Sequence, residues 1–153
     1  MQLSLVAVGK RMPGWVAEGA AHYTRQLPRQ WRFQQLEVAQ SRAAEAERRK
    51  ADEAELLLRH CPADAEVVAL DLPGRALSSE ALSRRLADWQ QHGRPVRLLV
   101  GGPDGLAANV IARADWSWSL SALTLPHPLV RVLLVEQLFR AHTILHNHPY
   151  HRA

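Results

Sequence analysis

Two kinds of stretch in this 153-residue chain carry residues arranged as chemistry would need them. The first kind is a glycine-bearing or apolar loop behind an apolar run. LDLPG at Leu70–Gly74, GGPDG at Gly101–Gly105 and LSALTLP at Leu120–Pro126 each follow a segment that reads as a short strand. Glycine in such a loop lets the backbone approach a ligand, because no Cβ stands in the way. GGPDG is neither GxGxxG nor a P-loop, and Gly-Pro-Asp-Gly also makes an ordinary turn. LSALTLP is mostly apolar. It suits either a pocket wall for a flat aromatic ligand such as adenine or a buried crossover.

The second kind is the tail HNHPYHRA, with His146, His148, Tyr150, His151 and Arg152 in it and His142 one turn earlier. Phosphate contact from basic groups and base stacking on aromatic ones act together in RNA binding. Clustered His can also bind metal. No Cys or spaced carboxylate stands beside a His pair here, and Pro149 breaks the segment, so no metal site is expected. The chain holds no Ser/His/Asp arrangement and no HExxH.

These stretches need elements to hold them. Apolar runs at Gln2–Val8, Glu66–Asp71, Val96–Val100 and Trp118–Leu120 read as buried strands, and Arg32–Val38 alternates like one. Helical spacing of Trp15, Gly19, Tyr23 and Leu27 gives a first helix stopped by Pro28. Ser41 is a candidate N-cap for a charged helix to about His60, and Ser78 or Ser79 for one to Gln91. A short helix covers Ala107–Ala114. Pro128 then opens a long helix from Leu129 to Leu145, Pro being suited to the first helical turn. Its polar residues form two narrow strips, Glu136, Arg140 and Thr143 on one side and Arg131 with His142 on the other. A helix so apolar must be covered nearly all round, and in a short chain a second copy is the natural source of cover. Alternating strands and helices argue an α/β sandwich with a mainly parallel sheet. All three loops then lie at its carboxyl edge, where such sheets bind ligands.

Length bounds this to one domain over residues 1–153. The net charge of +4 rests on 19 Lys and Arg, only Lys10 and Lys50 being Lys. An Arg-borne surplus suits a phosphate-bearing partner. The charged helix carries Arg42, Arg48, Arg49 and Lys50 among five acidic residues and reads as a solvated face. A single Cys61 allows no internal disulfide. With neither a signal peptide nor an uninterrupted apolar stretch of about 18 residues, no membrane association is expected and the expected location is cytoplasmic.

At GGPDGL, SWSLSALTLPHPLVRVLLVEQLFRA and NHPYHR the chain closely resembles the bacterial ribosomal RNA large subunit methyltransferase H family. These are SPOUT-class enzymes that methylate N3 of a pseudouridine. LVAVGKRMPGW and LDLPG match the same family, so the resemblance spans the whole chain, and residues 40–64 depart most. The resemblance implies an α/β fold with a trefoil knot, the C-terminal segment threading a preceding loop. It implies S-adenosylmethionine as cofactor, held by Leu70, Gly101, Leu120, Ser121, Ala122, Leu123, Thr124 and Leu125. It further implies a homodimer whose site is completed by the partner, acting on 23S ribosomal RNA in assembled ribosomes. A related knotted enzyme acting on transfer RNA is the alternative. Arg131, Arg140, Tyr150, His151 and Arg152 become candidate substrate contacts. Arg140, His148, Tyr150, His151 and Arg152 become candidates for the catalytic role, with the base unassigned.

Overall fold

The computed structural model describes residues 1–152; Ala153, the last residue of the expected domain, lies outside the described residues. Five strands, β1 (Leu3–Val8), β2 (Gln34–Val38), β3 (Glu66–Ala76), β4 (Val96–Val100) and β5 (Trp116–Ser119), form one sheet in the order β2-β1-β4-β3-β5. Every pairing is parallel. The helices are α1 (Gly14–Thr24), α2 (Ala46–Leu58), α3 (Ser79–His92), α4 (Ala108–Arg113) and α5 (His127–Leu145). Short 3-10 turns occupy Arg29–Trp31 and Pro149–Arg152.

The central strands are apolar without alternation because both faces of the sheet are covered. Successive side chains of a strand point to opposite faces. Leu5, Val68 and Leu98 meet Leu86 and Trp89 of α3 and Leu134 and Leu138 of α5. Val6, Val67 and Leu99 meet Ala54 and Leu57 of α2 and Val110 of α4 on the other side. Every residue of α5 is buried or half-buried, as its composition requires. The half-open strip is Leu129, Leu133, Glu136, Arg140 and Ile144, whose spacing places them on one face.

Three expectations need correcting. Ser41 does not cap α2. Its hydroxyl donates to Asp52 and its backbone N–H to Glu53, so residues 41–45 run back along the helix, which starts only at Ala46. Second, β3 does not end at Asp71. It resumes after an irregularity between Leu70 and Arg75 and pairs again with Trp118 and Ser119. A Cβ at Gly74 would lie 2.7 Å from the backbone carbon of Ser117, so this approach of two backbones requires glycine. Third, α5 begins at His127, with Pro126 at the cap position and Pro128 inside the first turn.

Candidate active site

A pocket opens at the carboxyl edge, where β3, β4 and β5 release their loops. Val100, Leu106, Leu120, Leu125 and Val130 give it apolar walls. Seven of the eight residues expected to hold a cofactor line it: Leu70, Gly101, Leu120, Ser121, Leu123, Thr124 and Leu125. Ala122 does not; it faces solvent between its neighbours. Leu123 sits on the rim, 71% exposed. The loop fixes its own shape, since Ser119 Oγ donates to the Ser121 carbonyl and Ser121 Oγ accepts from the Leu123 N–H.

The glycines of GGPDG serve a different purpose from the one their composition suggests. A Cβ on Gly101 would meet the backbone of Gly105 at 2.9 Å, and one on Gly102 would meet Val8 and Glu53 at 3.1 and 3.2 Å. Both are small because the loop folds on itself and on α2. Gly105 donates its N–H to the Gly102 carbonyl at 3.0 Å, closing a turn with Pro103 and Asp104 at the centre. Gly105 has φ +86°, a conformation that favours glycine.

Beneath this turn lies the charged helix. Arg49 holds the Asp104 carboxylate through two hydrogen bonds, and this keeps Asp104 below its ordinary pKa. Glu53 is 2% exposed, accepts the Ser41 N–H and leaves Oε1 without a partner. Burial pushes its carboxyl above the usual range. Neither Arg49 nor Asp104 stood out in the sequence, because a charged helix and a turn aspartate are both common.

His127 lines the pocket at the start of α5. Burial, and then the neighbouring Arg131, depress its pKa, so the imidazole is neutral near pH 7. Arg131 itself is not placed to contact a substrate. It is 4% exposed and donates to Glu37 at 2.6 Å and to the carbonyls of Val8 and Gly9 at 2.9 and 2.7 Å. Reaching outward would leave those buried carbonyls unpaired. Arg131 ties α5 to the ends of β1 and β2.

Two of the remaining candidates, Arg140 and Tyr150, converge on Glu136. Its Oε1 accepts from Arg140 Nε and Nη2 and from the Tyr150 hydroxyl at 2.8 Å. Arg140 also lies 5.0 Å from the Tyr150 ring centre, and that ring packs edge-on against Phe139. Burial and the bond to Glu136 push the Tyr150 phenol well above its ordinary pKa, so Tyr150 is not a general base near neutrality. His148 is exposed and its Nδ1 accepts from the Tyr150 N–H. His151 is half-buried with Nδ1 unpartnered, and Arg152 is exposed. The sequence places Glu136 only on a polar helix strip with Arg140 and Thr143; its role as the acceptor that fixes the tail appears only in three dimensions.

The tail and the pocket lie apart within one chain. Glu136 follows the pocket residue Val130 by six positions, about 9 Å along the helix axis. Among the described residues no group of three or more His, Cys, Asp or Glu is placed to hold a metal. Nor is any helix among them long and apolar enough to cross a membrane.

The chain matches the family model described as "Predicted SPOUT methyltransferase" over residues 1–151. It is 50% identical to the ribosomal RNA large subunit methyltransferase H of Saccharophagus degradans, covering 99% of this chain and 100% of that one. It is 49% identical to the protein of the same name from Methylococcus capsulatus, with the same coverage. Among solved structures, a probable methylase family protein from Haemophilus influenzae aligns with 97% of this chain and 69% of its own. That alignment has a TM-score of 0.58 at 13% identity, a likeness of fold.

Proposed function

The chain belongs to the SPOUT methyltransferase family, and from that premise we propose that it transfers a methyl group from S-adenosylmethionine to N3 of a pseudouridine in 23S ribosomal RNA. The observation that carries the reading is the apolar slot at the carboxyl edge, walled by seven of the eight residues expected to hold the cofactor. The full-length relatives are named for large-subunit ribosomal RNA, and nothing favours the transfer RNA alternative. The cytoplasm, where ribosomes lie, is the location this reading calls for.

The residues present suit the cofactor. Leu70, Leu106, Leu120 and Leu125 offer apolar faces to an adenine, and the backbone of the three loops offers N–H and carbonyl groups to its edge. A neutral His127 puts no positive charge beside a sulfonium. When bound, S-adenosylmethionine supplies an electrophilic methyl whose departure leaves a neutral thioether. The chain's own work is to align that methyl with the imide nitrogen and to favour loss of the imide proton. Arg152, exposed and in no ion pair among the described residues, supplies positive charge toward the imide anion. His148 and His151 remain the candidates for accepting the proton. Arg140 and Tyr150, tied to Glu136, orient the tail.

We further propose a homodimer in which the tail of one protomer closes over the pocket of the other. Two features support this: the half-open strip along α5, and the distance between tail and pocket within a chain. An isologous two-fold contact along α5 would cover the strip. The knot belongs to the same proposal. The return of β3 beside Trp118 and Ser119 lays residues 71–76 along the segment that leads into α5, as a threaded chain requires.

The test is methylation of 50S subunits, 70S ribosomes and transfer RNA from cells lacking the enzyme, with the product nucleoside identified by mass spectrometry. N3-methylpseudouridine in 23S RNA is expected. Methylation of transfer RNA alone would overturn the reading.

A further inference from the structure

Beside the pocket, on the same sheet edge, is a second concavity that the reaction as described does not use. The sheet order puts β1 next to β4 and β2 beyond it, so the loops after β1 and β2 open alongside the turn at Gly101–Gly105. Neighbouring strands lie about 5 Å apart, so the two openings are within a nucleotide's length of each other. This cleft is lined by Lys10, Arg11, Ala39, Gln40, Ser41 and Arg42. Three of the six are cations and none is a carboxylate.

Those cations differ from the others nearby. Arg48, Arg49 and Lys50 of α2 all pair with acids. Lys10, Arg11 and Arg42 are exposed and take part in none of the side-chain hydrogen bonds or ion pairs among the described residues. Of the acids nearby, Glu37 is held by Arg131, Asp52 by Ser41 and Arg48, and Glu53 lies buried behind Ser41 with its pKa raised by burial. No acid among the described residues pairs with Lys10, Arg11 or Arg42.

The cleft is also built rather than incidental. The Gly9 N–H donates to the Val38 carbonyl at 2.8 Å and joins its two walls. Ser41 is held by Asp52 and Glu53, and Glu53 in turn lies against Gly102 of the pocket turn. Arg11 has φ +60°, a left-handed conformation uncommon for a residue with a Cβ. Exposed cations around an open cleft match the backbone phosphates of an RNA strand.

We propose that this cleft binds the sugar-phosphate backbone of the ribosomal RNA next to the target nucleotide, with Lys10, Arg11 and Arg42 as phosphate contacts. The proposal rests on the ribosomal RNA reading above. It makes the cleft a positioning site: it brings the strand to the pocket and takes no part in methyl transfer itself.

The test compares two triple variants with the unaltered dimer. The first is Lys10→Ala/Arg11→Gly/Arg42→Ala, in which glycine keeps the left-handed backbone at position 11. The second is Arg25→Ala/Arg29→Ala/Arg32→Gly, which removes the same charge from exposed positions near the opposite sheet edge. For the cleft variant, KM for ribosomes should rise about tenfold with kcat within about twofold, and the slope of log affinity against log salt should fall by about two. S-adenosylmethionine binding should be unchanged, which also shows that the variant is folded. The control variant should behave as the unaltered protein. Unchanged KM and salt slope in the cleft variant would overturn the proposal, as would equal losses in both variants, since diffuse charge would then suffice. If the unaltered protein methylates no ribosome, it is the reading of function that fails.

Discussion

Arg49 on α2 grips Asp104 across 55 residues of chain, Nε to Oδ2 at 2.7 Å and Nη2 to Oδ1 at 3.1 Å. Planar guanidinium and carboxylate meet in the two-point geometry that fixes orientation as well as distance. Asp104 is the third residue of the turn that walls the pocket. The charged helix, read from sequence as a solvated face, therefore holds the pocket from beneath.

Arg49→Met and Asp104→Asn should each loosen this turn. We expect three- to tenfold weaker S-adenosylmethionine binding from either, by calorimetry, and no further loss when they are combined. Losses that multiply in the double variant would show that the two residues act separately.

Gly101 and Leu123 both border the pocket but should respond differently. A Cβ on Gly101 collides with the Gly105 backbone, so Gly101→Ala should lower the melting temperature and weaken cofactor binding together. Leu123 is mostly exposed, so Leu123→Ala should weaken binding about threefold or more at an unchanged melting temperature. Thermal melts beside calorimetry separate the two. A normal melting temperature for Gly101→Ala would contradict the packing account.

At the amino edge of β3, Glu66 accepts from the indoles of Trp89 and Trp116 at 2.9 and 3.0 Å and pairs with His92 at 3.0 Å. Burial alone would raise its pKa, but these bonds bring it below the ordinary carboxylate value. A carboxylate depressed in the folded state adds stability above its unfolded pKa, about 4.3, and loses it as pH falls through the folded value. Glu66→Gln should thus be less stable than the unaltered protein at pH 7, the two converging in acid below about pH 4. Denaturant melts at several pH values check this; a constant difference would show that the carboxylate's charge is irrelevant. Glu66→Ala, which strands two indole donors, should cost about 2–5 kcal/mol.

Deleting Tyr150 and all that follows should abolish or greatly slow ribosome methylation while changing S-adenosylmethionine affinity by less than about threefold. The tail packs on Glu136 and Phe139, away from its own chain's pocket, so its loss leaves the pocket walls intact. A collapse of cofactor binding on truncation would put the tail in the cofactor site.

Much of this was legible from the chain alone. Strand periodicity, the Ser78 cap and the apolar excess of α5 are local signals, and local signals gave the elements, the parallel sheet and the edge on which the pocket lies. What was missed depends on distant partners. The return of β3 past Leu70 is set by pairing with β5, which no property of LPGRA announces. Arg131 reads as a free cation on a helix strip, yet two backbone carbonyls 122 and 123 residues away claim it. GGPDG suggested ligand approach because loop glycines often serve it, whereas Gly101 is small to admit Gly105. The mutual dependence of Glu136, Arg140 and Tyr150 needed the tail folded back along α5.

The claim most open to direct attack is that each methyl-transfer site combines one protomer's pocket with its partner's tail. Two chains, each inactive as a homodimer, provide the measurement: Thr124→Trp, which puts an indole into the slot from an exposed wall position, and the chain lacking Tyr150 onward. Co-expression and re-sorting should place about half of all dimers in the mixed state, each with one intact pocket facing one intact tail. The account predicts that the mixture regains about a quarter of normal ribosome methylation. A mixture shown by mass to contain the mixed dimer, yet inactive, would mean that pocket and tail must come from the same chain.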